Sequence, residues 1–172
     1  MKIKSKKMKR ILLLSDSHSH IDDRILNYAQ DADEIWHCGD FGNMNVVEEL
    51  EKIKPLRGVY GNIDEAKIRT VFPEVLFFRC EEVDVLMIHI GGYPEKYSPL
   101  AKKEIAEKKP KLFISGHSHI LKAMFDKRNN LLHLNPGACG NYGWHKVRTM
   151  MRFTINKSEI KDLEVIELGA RD

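Results

Sequence analysis

Seven side chains with nitrogen or oxygen lone pairs fall in five short polar clusters: SDSH with Asp16 and His18, HCGD with Asp40, YGNID with Asn62, a lone His89, and ISGHSHI with His117 and His119. Imidazole nitrogens and carboxylate oxygens bind divalent cations, and Asn62 adds a neutral oxygen. Side chains two apart in extended backbone point the same way, so His117 and His119 are expected to reach toward one point while Ser118 points elsewhere. An HxH pair alone is short enough to arise by chance. The other members also have ordinary readings: Asp16 as a helix cap, Asp40 and Asn62 as turn residues, His89 as a satisfied core histidine. All five clusters, however, follow apolar, strand-like runs. One metal-binding crevice explains five such placements together.

Seven donors are too many for one zinc ion and suit two ions sharing a bridge, with Asp40 as the bridging carboxylate and the ions about 3.5–4 Å apart as in two-metal hydrolases. Mixed imidazole and carboxylate ligands without thiolate suit manganese first, then iron or zinc.

The elements that must position these donors read as follows. Arg10 to Leu14 is a buried strand, Ile21 to Gln30 an amphipathic helix, Glu34 to Cys38 a second strand, Asn45 to Ile53 a second helix, and Leu56 to Tyr60 a third strand. Strand and helix alternation marks a parallel sheet covered by helices, whose ligands bind beyond the carboxyl ends of the strands. After Pro73 the texture turns to β. Val75 to Cys80 and Val83 to Ile90 are spaced as a hairpin, a helix covers about Ser98 to Lys108, and Lys111 to Ser115 leads into the HxH motif. Four more strands follow, at Leu121 to Asp126, Leu131 to Leu134, Val147 to Ile155 and Ile160 to Glu167.

The 172 residues are 42% hydrophobic and 31% charged, a globular composition. Apolar stretches are strand-sized, far short of the roughly 20 residues of a membrane span, and no export signal is read. Three widely spaced cysteines, Cys38, Cys80 and Cys139, fit a reducing cytoplasm. Six basic residues lie within the first ten; without them the formal charge of +3 becomes −3, so the domain itself is mildly acidic. Residues 1–9 are therefore taken as a basic extension and 10–172 as a single domain. No aromatic stripe interleaves with basic residues to stack the bases of a nucleic acid, and salt-dependent binding by the basic extension is the form such an interaction would take.

The series Asp16-x-His18, Gly39-Asp40, Gly61-Asn62, His89 and Gly116-His117-x-His119 resembles the calcineurin-like metallophosphoesterase superfamily. The GNxD form at Gly61 to Asp64 and the NPG at Asn135 to Gly137 are similar to the small phosphodiesterases of the YfcE type, a subgroup that also holds the retromer subunit Vps29. The resemblance runs from about Ile11 to Gly140. It implies an α/β fold, a four-layer α/β/β/α sandwich, with one ion on Asp16, His18, Asp40 and His119 and a second on Asp40, Asn62, His89 and His117. It further implies in-line hydrolysis of a phosphodiester small molecule or nucleotide-derived substrate by a water or hydroxide shared between the ions, with Asp40, Asn62 and His117 as catalytic residues. Its alternative is a Vps29-like scaffold that keeps the metal site and binds partners. Many superfamily members carry a histidine after the GN; here the position is Ile63, which cannot donate a proton, and this favours diesters or good leaving groups. His37, His133 and Cys38 are expected to be structural, His20 to serve a surface or capping role, and Tyr93 and Tyr97 to line the substrate mouth, with Tyr93 as a substrate-binding residue. A small sheet-containing domain also allows pairing with a second copy.

Overall fold

The computed structural model describes residues 8–171; residues 1–7 and 172, and with them most of the expected basic extension, lie outside the described residues. Ten strands and four helices follow in the order β1 (Lys9–Leu14), α1 (Asp23–Asp31), β2 (Glu34–His37), α2 (Met44–Glu51), β3 (Leu56–Gly58), α3 (Ala66–Val71), β4 (Val75–Cys80), β5 (Val83–Ile88), α4 (Pro99–Lys108), β6 (Leu112–Ile114), β7 (Lys122–Asp126), β8 (Leu131–Asn135), β9 (Val147–Asn156) and β10 (Glu159–Ala170).

These strands form two five-stranded sheets, ordered β10-β9-β1-β2-β3 and β4-β5-β6-β8-β7. In the first, β1, β2 and β3 run parallel; in the second, β5, β6 and β8 do. The strand alternation explains how four layers arise from one run of apolar residues. Ile11 and Leu13 of β1 join Trp36, Val85, Met87, Leu112 and Ile114 in a core between the sheets. Leu12 and Leu14 face the other way and pack with Ile25 and Ala29 of α1 and Val46, Val47 and Leu50 of α2. Ala101 and Ile105 of α4 cover Leu86, Ile88 and Phe113 on the far face of the second sheet. A strand buried on both sides needs no polar alternation, hence the unbroken ILLL. The layers are helix, sheet, sheet, helix, as the family resemblance implied.

Helix ends follow their caps. α1 starts at Asp23, two residues beyond the expected Ile21, because Asp22 stays extended and its carboxylate accepts the Ile25 N–H at 3.0 Å. Asn43 and Ser98 accept in the same way from Val46 and Ala101. α4 carries Pro99 in its first turn and ends where Lys109 adopts a left-handed conformation ahead of Pro110. α3 was not foreseen: it spans six residues and buries only Ile68, too short for an apolar period to emerge. No helix among the described residues is long and apolar enough to cross a membrane.

Asp22 also ties α1 to β9. The Arg148 guanidinium, itself buried, donates to it at 2.7 Å, and His20 Nε2 lies 3.0 Å away. Burial alone would raise the Asp22 carboxyl, but the Ile25 N–H, His20 and Arg148 outweigh it and pull it down to about 2. A pKa depressed in the folded state gives stabilisation that is complete above the unfolded value of 3.8 and is lost as pH falls through about 2. Asp22→Asn keeps a good capping side chain and removes the charge. In urea unfolding, the wild-type chain should be the more stable at neutral pH and should lose that advantage between about pH 4 and pH 2; acid curves that run parallel for the two chains would contradict the assignment.

Candidate metal centre

Every cluster picked out in the sequence lies beyond the carboxyl end of a parallel strand: SDSH after β1, HCGD after β2, YGNID after β3, His89 after β5 and GHSH after β6. Backbone bonds draw the loops together. Asp16 N–H donates to Gly39 O at 3.0 Å, Gly116 N–H to His89 O at 3.0 Å, and Cys139 N–H to Ser15 O at 3.0 Å. The two sheets therefore meet at this edge.

Two donor groups result. Asp16, His18 and His119 form one, and Asp40, His89 and His117 the other, each with ligand atoms within 4.8 Å of one another. Asp40 faces both: its Oδ2 is 3.5 Å from His18 Nε2 and 3.3 Å from His89 Nε2. Asn62 Oδ1 lies 3.1 Å from His89 Nε2 on the second group's side. His117 and His119 do not converge on one point as extended geometry suggested. Both adopt positive φ, at 67° and 57°, and the bent loop sends one imidazole to each group.

Asp16, His18 and Asp40 are left-handed too, at 54°, 46° and 56°. Such conformations are uncommon outside glycine and cost free energy that the surrounding structure must offset. Ser15 Oγ and the His117 N–H donate to Asp16 Oδ2 at 2.6 and 3.1 Å, and the Ile63 N–H donates to Asp40 Oδ1 at 3.1 Å. Gly61 has to lack a side chain, since a Cβ there would run into the Asp40 carboxylate.

The unfulfilled valences fit cations. Asp16 Oδ1 and His18 Nε2 are buried and have no hydrogen-bond partner among the described residues. His89 Nδ1 donates to Cys38 O at 2.6 Å, which aims Nε2 at Asp40 Oδ2 and Asn62 Oδ1; burial alone would lower this imidazole, but Asp40, Asp16 and the Cys38 carbonyl outweigh it and raise its pKa. Asp16 Oδ1, His18 Nε2 and the Asp40 carboxylate face one another in a buried pocket, a donor set that a cation would satisfy. Burial, opposed by Asp40 and Asp16, lowers the pKa of His18 and so favours its neutral, ligating form. The Asp40 carboxyl would rise on burial but is lowered by His89 and the Ile63 N–H.

Supporting residues account for the rest of the motifs. Asp64 accepts from the N–H groups of Gly61 and Gly42 at 2.7 and 2.9 Å, fixing the GNxD loop against the HCGD loop. Arg69, on the unforeseen α3, donates to the carbonyls of Asp64 and Asn62 and lies over Tyr60. Asn135 of the NPG donates to Gly116 O and Ser118 Oγ at 3.0 and 3.2 Å and so holds the HxH loop. His37 is fully buried, accepts the Gly39 N–H at Nδ1, meets Ser17 Oγ at 2.9 Å, and is pushed down to about 3 by burial. His133 and Cys38 are buried as well, in structural settings. Tyr93 is not among the residues around the cavity above the donors; its ring lies 3.7 Å from Lys122 Nζ. Tyr97 is buried and its hydroxyl donates to Asp126 at 2.8 Å. That cavity, of about 720 Å³, is bounded instead by Ile63, Ile120, Tyr142, Trp144, His145 and Arg171 beside the donors. His145, Tyr142, Trp144 and Arg171 follow no motif or period in the sequence.

Residues 8–158 match the sequence model of the calcineurin-like phosphoesterase superfamily domain. A probable metallophosphoesterase of Methanothermobacter thermautotrophicus is 29% identical over 132 residues, 73% of this chain and 74% of that protein. A phosphodiesterase of Methanocaldococcus jannaschii is 26% identical over 148 residues, 77% of this chain and 86% of its own. In fold, the chain is similar to wild-type Vps29 of Entamoeba histolytica complexed with Zn²⁺, with a TM-score of 0.73 at 17% identity over 92% of this chain and 98% of that one.

Cation binding at the donor groups should be visible as stabilisation. A metal ion at 100 times its Kd contributes about 2.7 kcal/mol, which for a chain of this length raises Tm by roughly 5–10 °C. Chelator-stripped protein should show such a rise with manganese or zinc, and His119→Ala should diminish it. An unchanged Tm at saturating metal would contradict the arrangement.

Proposed function

We infer that this chain, which belongs to the calcineurin-like phosphoesterase superfamily, is a metal-dependent phosphodiesterase. The observation that carries the reading is the position of Asp40, whose carboxylate faces imidazoles of both donor groups while each group keeps its own histidine from the HxH loop. Asp16, His18, Asp40 and His119 would hold one divalent ion, and Asp40, Asn62, His89 and His117 the second, manganese being the first choice and iron or zinc the others. When bound, such a pair supplies Lewis acidity to the phosphate oxygens and to the attacking water.

The chain's own residues set the rest of the chemistry. Burial would raise the Asp40 carboxyl, but His89 first and then the Ile63 N–H lower it, which favours the carboxylate at the centre. The Asn62 carboxamide, anchored through its backbone by Arg69, would orient a phosphate oxygen through its N–H₂ group while its oxygen would serve the second group. His117 is exposed at the cavity, where it would reach both an ion and the incoming phosphate. Ile63 stands 45% exposed in the cavity wall, where it offers no proton to a departing oxygen. Diesters with good leaving groups are therefore the fitting substrates, in a cytoplasmic setting. The fold it shares with Vps29 supports a second reading, a partner-binding scaffold, but the complete donor set favours catalysis.

Hydrolysis of an aryl phosphodiester by metal-restored protein is expected. Asp40→Asn or His117→Ala should cut it by more than the roughly 10–100-fold typical of outer-shell metal partners, with circular dichroism unchanged. Turnover by demonstrably metal-free protein, or an inert metal-loaded wild type, would sink the reading. Ile63→His should raise the ratio of monoester to diester turnover, since a well-placed general acid contributes roughly 10²–10⁴-fold; an unchanged ratio would place this position away from the leaving group.

A further inference from the structure

The cavity above the donor groups is far larger than a phosphate needs. At about 720 Å³ it falls in the range that encloses a whole organic ligand. Its floor is His18, Asp40, His117 and His119; its rim is apolar and aromatic, with Ile63, Ile120, Tyr142 and Trp144. Trp144 is 99% exposed and Tyr142 71% exposed, so the Trp144 ring contributes no burial to folding and the Tyr142 ring little. Both belong to the connection between β8 and β9, and that connection is held in place rather than left loose. His145 Nε2 donates to Gly140 O at 2.8 Å, the Tyr142 ring lies 5.0 Å from that of His18, and a side chain on Gly143 would strike His119. Two aromatic rings, one residue apart in sequence, are thus presented in water at the mouth of the site. Arg171 adds a guanidinium to the same cavity.

Resting on the phosphodiesterase reading, we propose that Tyr142 and Trp144 select diesters in which one arm carries a nucleobase, which stacks on these rings while the phosphate sits over the donor groups. Aromatic faces bind every base because every base has a π-face, so the site takes nucleoside diesters without strong base preference. An alkyl chain would favour a continuous apolar wall, whereas this rim is interrupted by Ser118, His145 and Arg171. Arg171 suits the polar base edge, the sugar or a further phosphate on the same arm. The two rings act as specificity-determining residues at a distance from the bond that breaks.

Two substrates with the same leaving group test this: thymidine 5′-(p-nitrophenyl phosphate) and methyl p-nitrophenyl phosphate. Stacking of one base should favour the nucleoside diester by about tenfold or more in kcat/KM, mainly through KM, and Trp144→Ala should bring the ratio close to that of the bare chemistry. Thymidine 5′-monophosphate should also quench the fluorescence of Trp144 in zinc-loaded protein, an effect inorganic phosphate does not reproduce and Trp144→Phe abolishes. Equal turnover of both diesters without quenching would overturn the aromatic subsite and leave the phosphodiesterase reading intact. If neither diester were turned over, the catalytic reading would fall instead, and quenching alone would decide whether the rings bind a base.

Discussion

Two buried carboxylates, Asp16 and Asp40, govern this structure. Removing an ionised carboxylate from water costs several kcal/mol even after relaxation, and here two are placed within reach of one another and of four imidazoles. Hydrogen bonds from Ser15, the His117 N–H and the Ile63 N–H offset only part of that cost. What remains is a set of lone pairs aimed inward, Asp16 Oδ1 and His18 Nε2 among them. Such a pocket is unfavourable by itself and becomes favourable when cations enter it, which makes folding and metal affinity two views of the same electrostatics.

The constraint explains why the donors are divided between two sheets. The loops after β1, β2 and β3 supply Asp16, His18, Asp40 and Asn62; those after β5 and β6 supply His89, His117 and His119. Neither sheet alone holds enough ligands for either donor group. Distances between donors therefore depend on the apolar layer between the sheets, where Trp36 packs edge-on against Phe78 and Phe153 with centroids 5.0 and 5.7 Å apart. A one-residue slip of either sheet would turn inward-facing side chains outward and carry the loops out of reach. Dense packing below the site thus does the work of positioning, and the loops supply left-handed turns that aim each side chain.

Much of this was legible because strands buried on both faces leave long apolar runs, and the polar residues that end them stand out. The donors and the approximate element bounds follow from that contrast, while the four layers are what the family resemblance implies. Geometry within the loops does not follow from it. Extended spacing alone sends His117 and His119 toward one point and only the family resemblance divides them between two ions; in the fold, positive φ angles at both histidines separate them, and nothing in GHSH encodes those angles without tertiary contacts. α3 escaped notice because one buried residue makes no period, although its Arg69 holds the loop that bears Asn62. Tyr142 and Trp144 follow the NPG by only a few residues but belong to no motif, and Arg171 lies just beyond β10; only the fold brings them to one cavity.

The chemistry of Ile63 and that of the rim belong together. On the phosphodiesterase reading, a centre without a proton donor at the leaving oxygen would lack a contribution that strengthens in the transition state, and rate would have to come from elsewhere. Binding energy gained on a remote part of the substrate can be used to hold the reacting phosphate in line and free of water, which raises kcat as well as lowering KM. An aromatic rim over a cavity with room for a nucleoside is such a remote source. Ile63 itself belongs to that rim, so on the phosphodiesterase reading the residue that offers the leaving group no proton would also extend the apolar surface beside the substrate's other arm. A histidine in its place would exchange part of that surface for acid catalysis, and the two properties would then have to vary in opposite directions.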